Sequence, residues 1–126
     1  MRALYSHVDL RVRDRERAVA FYDALLQALG FRLQEHKAGD EFPTWRRPGG
    51  ERNGEFFGLE ADPNHRPNEN RIAFMCGSKE EVERIARIVA EKGGRDVDGP
   101  PGYDERYYAC FFEDPEGNKL EVCFLS

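Results

Sequence analysis

Asp114-Pro115-Glu116-Gly117-Asn118-Lys119-Leu120-Glu121-Val122-Cys123-Phe124 is the stretch whose reading decides the fold. Asp-Pro-x-Gly is turn chemistry: the proline presets one φ, and the glycine accepts the positive φ that ends the turn. The residues after it alternate, with Leu120, Val122 and Phe124 on one face and Lys119, Glu121 and Cys123 on the other. That is the pattern of a half-buried strand. Glu121 is its odd member, a carboxylate opposite the apolar face. If that second face lines a cavity, Glu121 is a metal ligand, an acid/base group or half of an ion pair.

Working backwards from this strand, Tyr107 to Phe112 reads as another strand, preceded by a Pro/Gly loop at Gly99–Gly102 and a short strand at Arg95–Val97. Val82, Ile85, Ala86 and Val89 recur at helical spacing, with Ser78 and Glu81 as a capping box and Gly93-Gly94 as the stop. Arg71 to Cys76 is a strand ahead of that helix. The first half of the chain repeats the plan. Tyr5 to Val12 alternates, with Val8, Leu10 and Val12 opposite His7, Asp9 and Arg11. Asp14 is a good N-cap for a helix carrying Ala18, Phe21, Tyr22, Leu25, Leu26 and Leu29, and Gly30 closes it. Strands follow at Phe31–Lys37, Phe42–Arg47 (bounded by Pro48-Gly49-Gly50) and Glu55–Glu60. In the last of these Phe57 and Leu59 oppose Phe56, Gly58 and Glu60. A shift of 64 residues lays His7 on Arg71, Leu10 on Phe74, Asp14 on Ser78 and Gly30 on Gly94, and a shift of 63 lays Gly58 on Glu121. Caps, inner-face residues and stops coincide, which is the signature of an internal repeat. The expected fold is therefore α+β: two βαβββ modules, residues 1–61 and 71–126, joined by the Pro- and Asn-rich linker 62–70. Together they would make one domain over 1–126, an open mixed sheet around a cleft.

Composition bounds the function. The chain has 126 residues, a net charge of −5, 40% hydrophobic and 34% charged residues. The basic residues are interspersed with acidic ones and form no phosphate-tracking stripe, so nucleic acid is not an expected partner. No apolar run approaches the roughly 18–20 residues needed to span a bilayer, and no signal-peptide core is visible, so a cytoplasmic location without membrane attachment is expected. The three cysteines, Cys76, Cys110 and Cys123, each fall in an expected strand and read as reduced core thiols. On alternation, the faces turned away from the helices carry His7, Asp9, Arg11, Phe56, Glu60, Arg71 and Glu121, a set suited to a small polar ligand. Tyr103 and Tyr107, beside the Pro/Gly loop, either rim that ligand site or pack. His36 and His65 are expected to be exposed.

The strand-one histidine, Phe21-Tyr22 ahead of Leu29-Gly30-Phe31, Arg71-Ile72-Ala73-Phe74 and the Asp114–Glu121 ending together resemble the vicinal oxygen chelate superfamily. That superfamily includes glyoxalase I, extradiol dioxygenases, fosfomycin-modifying enzymes and bleomycin resistance proteins. The resemblance covers nearly the whole chain and implies the two-module fold. In metal-dependent members the ligands come from the first and fourth strands of each module, which places them here at His7, Gly58, Arg71 and Glu121. His7 and Glu121 suit Zn, Ni, Mn or Fe. Gly58 has no donor, and Arg71 stays charged and cannot ligate. Two readings stay open. In the first, no cofactor is held and the protein binds a small, anionic molecule. Arg71 then takes the place of the metal, forking onto Glu121. In the second, a divalent metal on His7 and Glu121, completed by Glu60 or Asp9, serves a lyase or dioxygenase. The resemblance also implies a homodimer. No catalytic residue is assigned.

Overall fold

The computed structural model of the chain describes residues 5–34, 43–47, 55–99 and 106–126, together with the backbone of 102–104. They fall into two compact units, Met1–His65 and Arg66–Ser126, whose boundary lies inside the expected linker. The first unit runs β1 (His7–Val12), α1 (Arg15–Ala28), β2 (Arg32–Leu33), β3 (Thr44–Arg46) and β4 (Phe56–Ala61). The second runs β5 (Arg71–Met75), α2 (Lys79–Glu91), β6 (Arg95–Asp98), β7 (Gly102–Asp104), β8 (Tyr107–Glu113) and β9 (Lys119–Leu125).

The sheet orders are β1-β4-β3-β2 and β5-β9-β8-β6, with β7 also on β8. In each unit the edge strand before the helix pairs in parallel with the last strand, and the remaining pairs are antiparallel. The registers carry the repeat into three dimensions. His7 pairs with Phe56 and Arg71 with Lys119, so the shifts of 64 and 63 residues found in the sequence relate the two ladders as well. Each unit is a βαβββ module with a mixed sheet.

Several boundaries move. The expected strand Phe31–Lys37 is reduced to Arg32–Leu33, its residues 35–37 lying outside the described set. Phe31 precedes it, buried, with its N–H on Leu26 O at 2.8 Å as part of the closure of α1. The next strand is Thr44–Arg46; Phe42 and Pro48-Gly49-Gly50 lie outside the described residues. β4 gains Ala61, which pairs with Val12. The expected Pro/Gly loop at 99–102 is only partly a loop, because Gly102 already opens β7. β6 and β7 lie along one side of β8, with Asp98 opposite Phe111 and Gly102 opposite Tyr108. They form one interrupted edge, and Gly99, just past β6, takes φ 113°. Residues 100 and 101 themselves lie outside the described set.

Both helices start as their caps dictate. Asp14 Oδ1 accepts from Arg17 N at 3.2 Å, and Ser78 Oγ from Glu81 N at 3.1 Å. The Glu81 carboxylate reaches back to Gly77 N at 2.8 Å, one residue further than a standard capping box. α1 buries Ala18, Phe21, Tyr22, Leu25 and Leu26, and Tyr22 stacks on Phe57 with ring centroids 5.5 Å apart. Trp45 is fully buried, and its Nε1 donates to Asp23 Oδ1 at 2.9 Å. α2 buries Val82, Ile85, Ala86 and Val89, while β8 and β9 contribute Cys110, Phe112, Leu120 and Val122 to the same unit's core.

The Asp114 turn is self-contained. Asp114 is fully buried, its Oδ1 accepts from Glu116 N and Asn118 N at 2.8 and 2.9 Å, and its Oδ2 from Asn118 Nδ2 at 2.7 Å. Gly117, at φ 101°, donates its N–H to Asp114 O. A buried carboxylate saturated by its own loop sets the register of β8 on β9, and so the position of Glu121.

Candidate functional site

Alternation fixes which side chains share the sheet face opposite each helix. In the first unit that face carries His7, Asp9 and Arg11 from β1, Phe56, Gly58 and Glu60 from β4, and Arg46 from β3. The His7 ring stacks on Phe56 at 4.4 Å with the planes 6° apart, and the Arg46 guanidinium lies over the same ring at 4.9 Å. His7 Nε2 is 3.5 Å from Asp9 Oδ2, and Nδ1 is 3.0 Å from Ser6 Oγ. Arg11 pairs with Glu60 at 2.7 Å. His7, Asp9 and Arg11 are exposed, Arg46, Phe56 and Glu60 half-buried, and the surface is ion-paired and aromatic.

In the second unit the corresponding face is built of rows across three strands. Arg71, Lys119 and Glu113 form one row; Ala73, Glu121 and Phe111 the next; Met75, Cys123 and Ala109 the third; Leu125 and Tyr107 follow. Glu121 is 4% exposed, and the Tyr107 hydroxyl donates to its Oε2. Cys123 also hydrogen-bonds to this carboxylate. Burial first, then the charge of Glu121 and that hydrogen bond, push the Cys123 thiol up from its ordinary pKa. Arg71 does not fork onto Glu121 as expected. Its Nη1 donates to Leu120 O at 2.8 Å and its guanidinium lies 4.9 Å from the centre of the Phe111 ring. The reason is reach: Arg71 sits one row from Glu121, and its side chain spans β9 to the aromatic face of Phe111, where a guanidinium stacks well. Tyr108, one residue from Tyr107, faces the other way and donates to Glu83 on α2 at 2.6 Å, which raises its pKa.

Phe111 on the second unit's face and Arg46 on the first unit's are aromatic and cationic members that escaped the sequence reading. Phe111 lies between Cys110 and Phe112, in an apolar run that hides which face each residue takes. Arg46 belongs to a three-residue strand too short for its alternation to be read. Only the ladder registers reveal them. The Tyr103 side chain lies outside the described residues, as does His36; His65 is half-buried rather than exposed.

The model of the Glyoxalase/Bleomycin resistance protein/Dioxygenase superfamily matches residues 4–122. The chain belongs to that superfamily. A glyoxalase/bleomycin resistance protein from Albidiferax ferrireducens T118 is similar to it, with 28% identity and a TM-score of 0.78 over 98% of this chain and all of that one. A glyoxalase/bleomycin resistance protein/dioxygenase family enzyme from Burkholderia phytofirmans PsJN is 18% identical, with a TM-score of 0.74 over 96% and 98% of the two chains. TnmS3, an antibiotic binding protein from Streptomyces sp. CB03234, is 22% identical, with a TM-score of 0.69 over 98% and 97%. At those last two identities the likeness is one of fold. No curated protein matches the chain at a significant level.

Of the four strand positions that the family resemblance makes metal ligands, His7 and Glu121 carry donors and the other two do not. Gly58 is buried and brings no side chain, and Arg71 brings a permanent cation. The stand-ins are engaged: Glu60 pairs with Arg11, and Asp9 lies beside His7. Among the described residues no three His, Cys, Asp or Glu side chains group as a metal site would require. The donor set does not fit the metal that the superfamily implies.

Proposed function

We propose that this member of the glyoxalase superfamily is a small-molecule-binding protein that takes an anionic ligand on the open face of its second unit, at Arg71, without a resident metal. The observation that carries this reading is the state of Arg71. It is exposed, held in place by Leu120 O and Phe111, and has no carboxylate partner among the described residues. Arg11, Arg47, Arg95 and Lys119 each have one. An immobilised cation left uncompensated in a chain of net charge −5 is a binding feature rather than a solvated surface charge. TnmS3, an antibiotic binding protein of the same fold, supports the small-molecule reading. The alternative, a metal-dependent lyase or dioxygenase on His7 and Glu121, has two donors in place of four.

Two measurements test the reading. Elemental analysis of protein purified without chelators should find no stoichiometric Zn, Ni, Mn or Fe. Benzoate should shift amide resonances of β5 and β9 in the native protein and not in Arg71→Met, with benzamide inert. A stoichiometric metal lost in His7→Ala would reject it. A homodimer in the cytoplasm completes the proposal: three buried free thiols suit a reducing compartment, and light scattering gives the oligomeric state directly.

A further inference from the structure

On the helix side of the second unit, away from its open face, a groove of about 480 Å3 runs between α2 and β6. That size falls within the roughly 300–1,000 Å3 of small-ligand sites. Three features of the chain build it. Ala86 and Ala90, one helical turn and about 6 Å apart, present only methyl groups on that flank of α2. On β6 a bulge turns Val97 towards them. From Arg95 to Asp98 the strand advances three residues, while the partners on β8, Glu113 and Phe111, advance two. The extra residue is taken up at Asp96, whose φ of 49° is the left-handed conformation that aspartate tolerates. Strict alternation would put Val97 on the same face as Arg95; the bulge gives it to the groove instead.

The third feature is electrostatic. Glu83 and Arg87 stand four residues apart on α2, the order and spacing at which a glutamate pairs with an arginine. Glu83 instead accepts the Tyr108 hydroxyl at 2.6 Å across the end of the groove, and the Lys79 ammonium lies 5.5 Å from the centre of the Tyr108 ring. Arg87 is left exposed at the rim, with no carboxylate partner among the described residues. An apolar trough with an unpaired cation at its edge is complementary to a molecule that has an apolar body and one negative charge.

We infer that the groove between α2 and β6 binds a small amphiphilic carboxylate from solution, its chain along Ala86, Ala90 and Val97 and its oxyanion on Arg87. The site shares neither residues nor sheet face with Arg71, so it stands or falls apart from the function proposed there. No covalent step is involved.

The test titrates octanoate, octanamide and acetate into the full chain, followed by calorimetry and amide shifts. Octanoate should bind roughly tenfold or more tightly than either control, with shifts centred on residues 83–90 and 95–99. Arg87→Gln should bring octanoate down to the affinity of octanamide, whereas Arg71→Met should leave it unchanged. Because Ala90 is exposed, Ala90→Trp should fold normally and block the groove. Tyr108→Phe should weaken octanoate severalfold, since the released Glu83 can then take Arg87, and adding Glu83→Gln should restore it. Equal binding of octanamide would show that the Arg87 charge is not used, and equal binding of acetate that the apolar floor is not; either overturns the inference. Shifts confined to β5 and β9 would overturn it too, and would leave the Arg71 site standing. Shifts at residues 83–99 that appear on concentrating the protein without octanoate would give the groove to a second copy of the chain, which also overturns it.

Discussion

Asp114 shows how one residue can organise a strand pair. Its carboxylate is fully buried and satisfied by three donors of the same loop. Removing it strands those donors, because a buried N–H without an acceptor loses its solvation and gains nothing in return. Asp114→Ala should therefore cost about 2–4 kcal/mol, read as a fall in the urea midpoint at unchanged m-value. Gly117 makes a different demand. A Cβ there would meet nothing closer than 3.6 Å, so space is not the obstacle; φ 101° is. Gly117→Ala should cost about 1–2 kcal/mol from backbone strain alone. If it were as damaging as Asp114→Ala, packing against Pro67 or Arg95 would be the larger effect.

The strands around α2 hold the cysteines, and burial sets their chemistry. Cys76 and Cys110 are pushed up to about 12 and about 11, chiefly by loss of solvent, and Cys123 is raised as well. At pH 8 all three are thiols in the folded protein, so iodoacetamide should label them only after denaturation. The sign of the linkage follows. The unfolded thiols ionise near pH 9.0 while the folded ones keep their protons. The thiols' contribution to stability should thus be level below pH 9 and fall above it by up to about 1.4 kcal/mol per pH unit for each, until about pH 11 for Cys110 and about 12 for Cys76. A series of urea melts across that range reads the slope, and a rise in stability above pH 9 would contradict the burial. At α2 itself, Ser78→Ala should cost about 1 kcal/mol through the lost cap on Glu81 N.

For the whole molecule the donor set is the decisive fact. Two of the four positions at which metal-dependent superfamily members ligate cannot do so here, for reasons of side-chain chemistry that no rearrangement of the strands repairs. Equilibrating the purified protein with Zn and then desalting should leave it metal-free, and Glu121→Gln should not change that result. The same variant should instead weaken the protein, because the Tyr107 hydroxyl and the Cys123 thiol would then face an amide in place of a carboxylate. A loss of about 1–3 kcal/mol is expected.

Much of this was legible in the chain because it is local. Apolar spacing, two N-caps and the glycine stops mark both helices. Alternation assigns His7, Glu121 and their neighbours to faces, and the offset between like landmarks gives the duplicated module. These features arise from backbone geometry and side-chain size within a few residues, which a linear sequence carries in full. What a residue touches across strands is another matter. Arg71 was expected on Glu121 and lies on Phe111; Tyr107, left open between rim and packing, closes over Glu121. Such partners depend on ladder register and on side-chain reach over two strands, quantities set only when residues far apart in sequence are brought side by side.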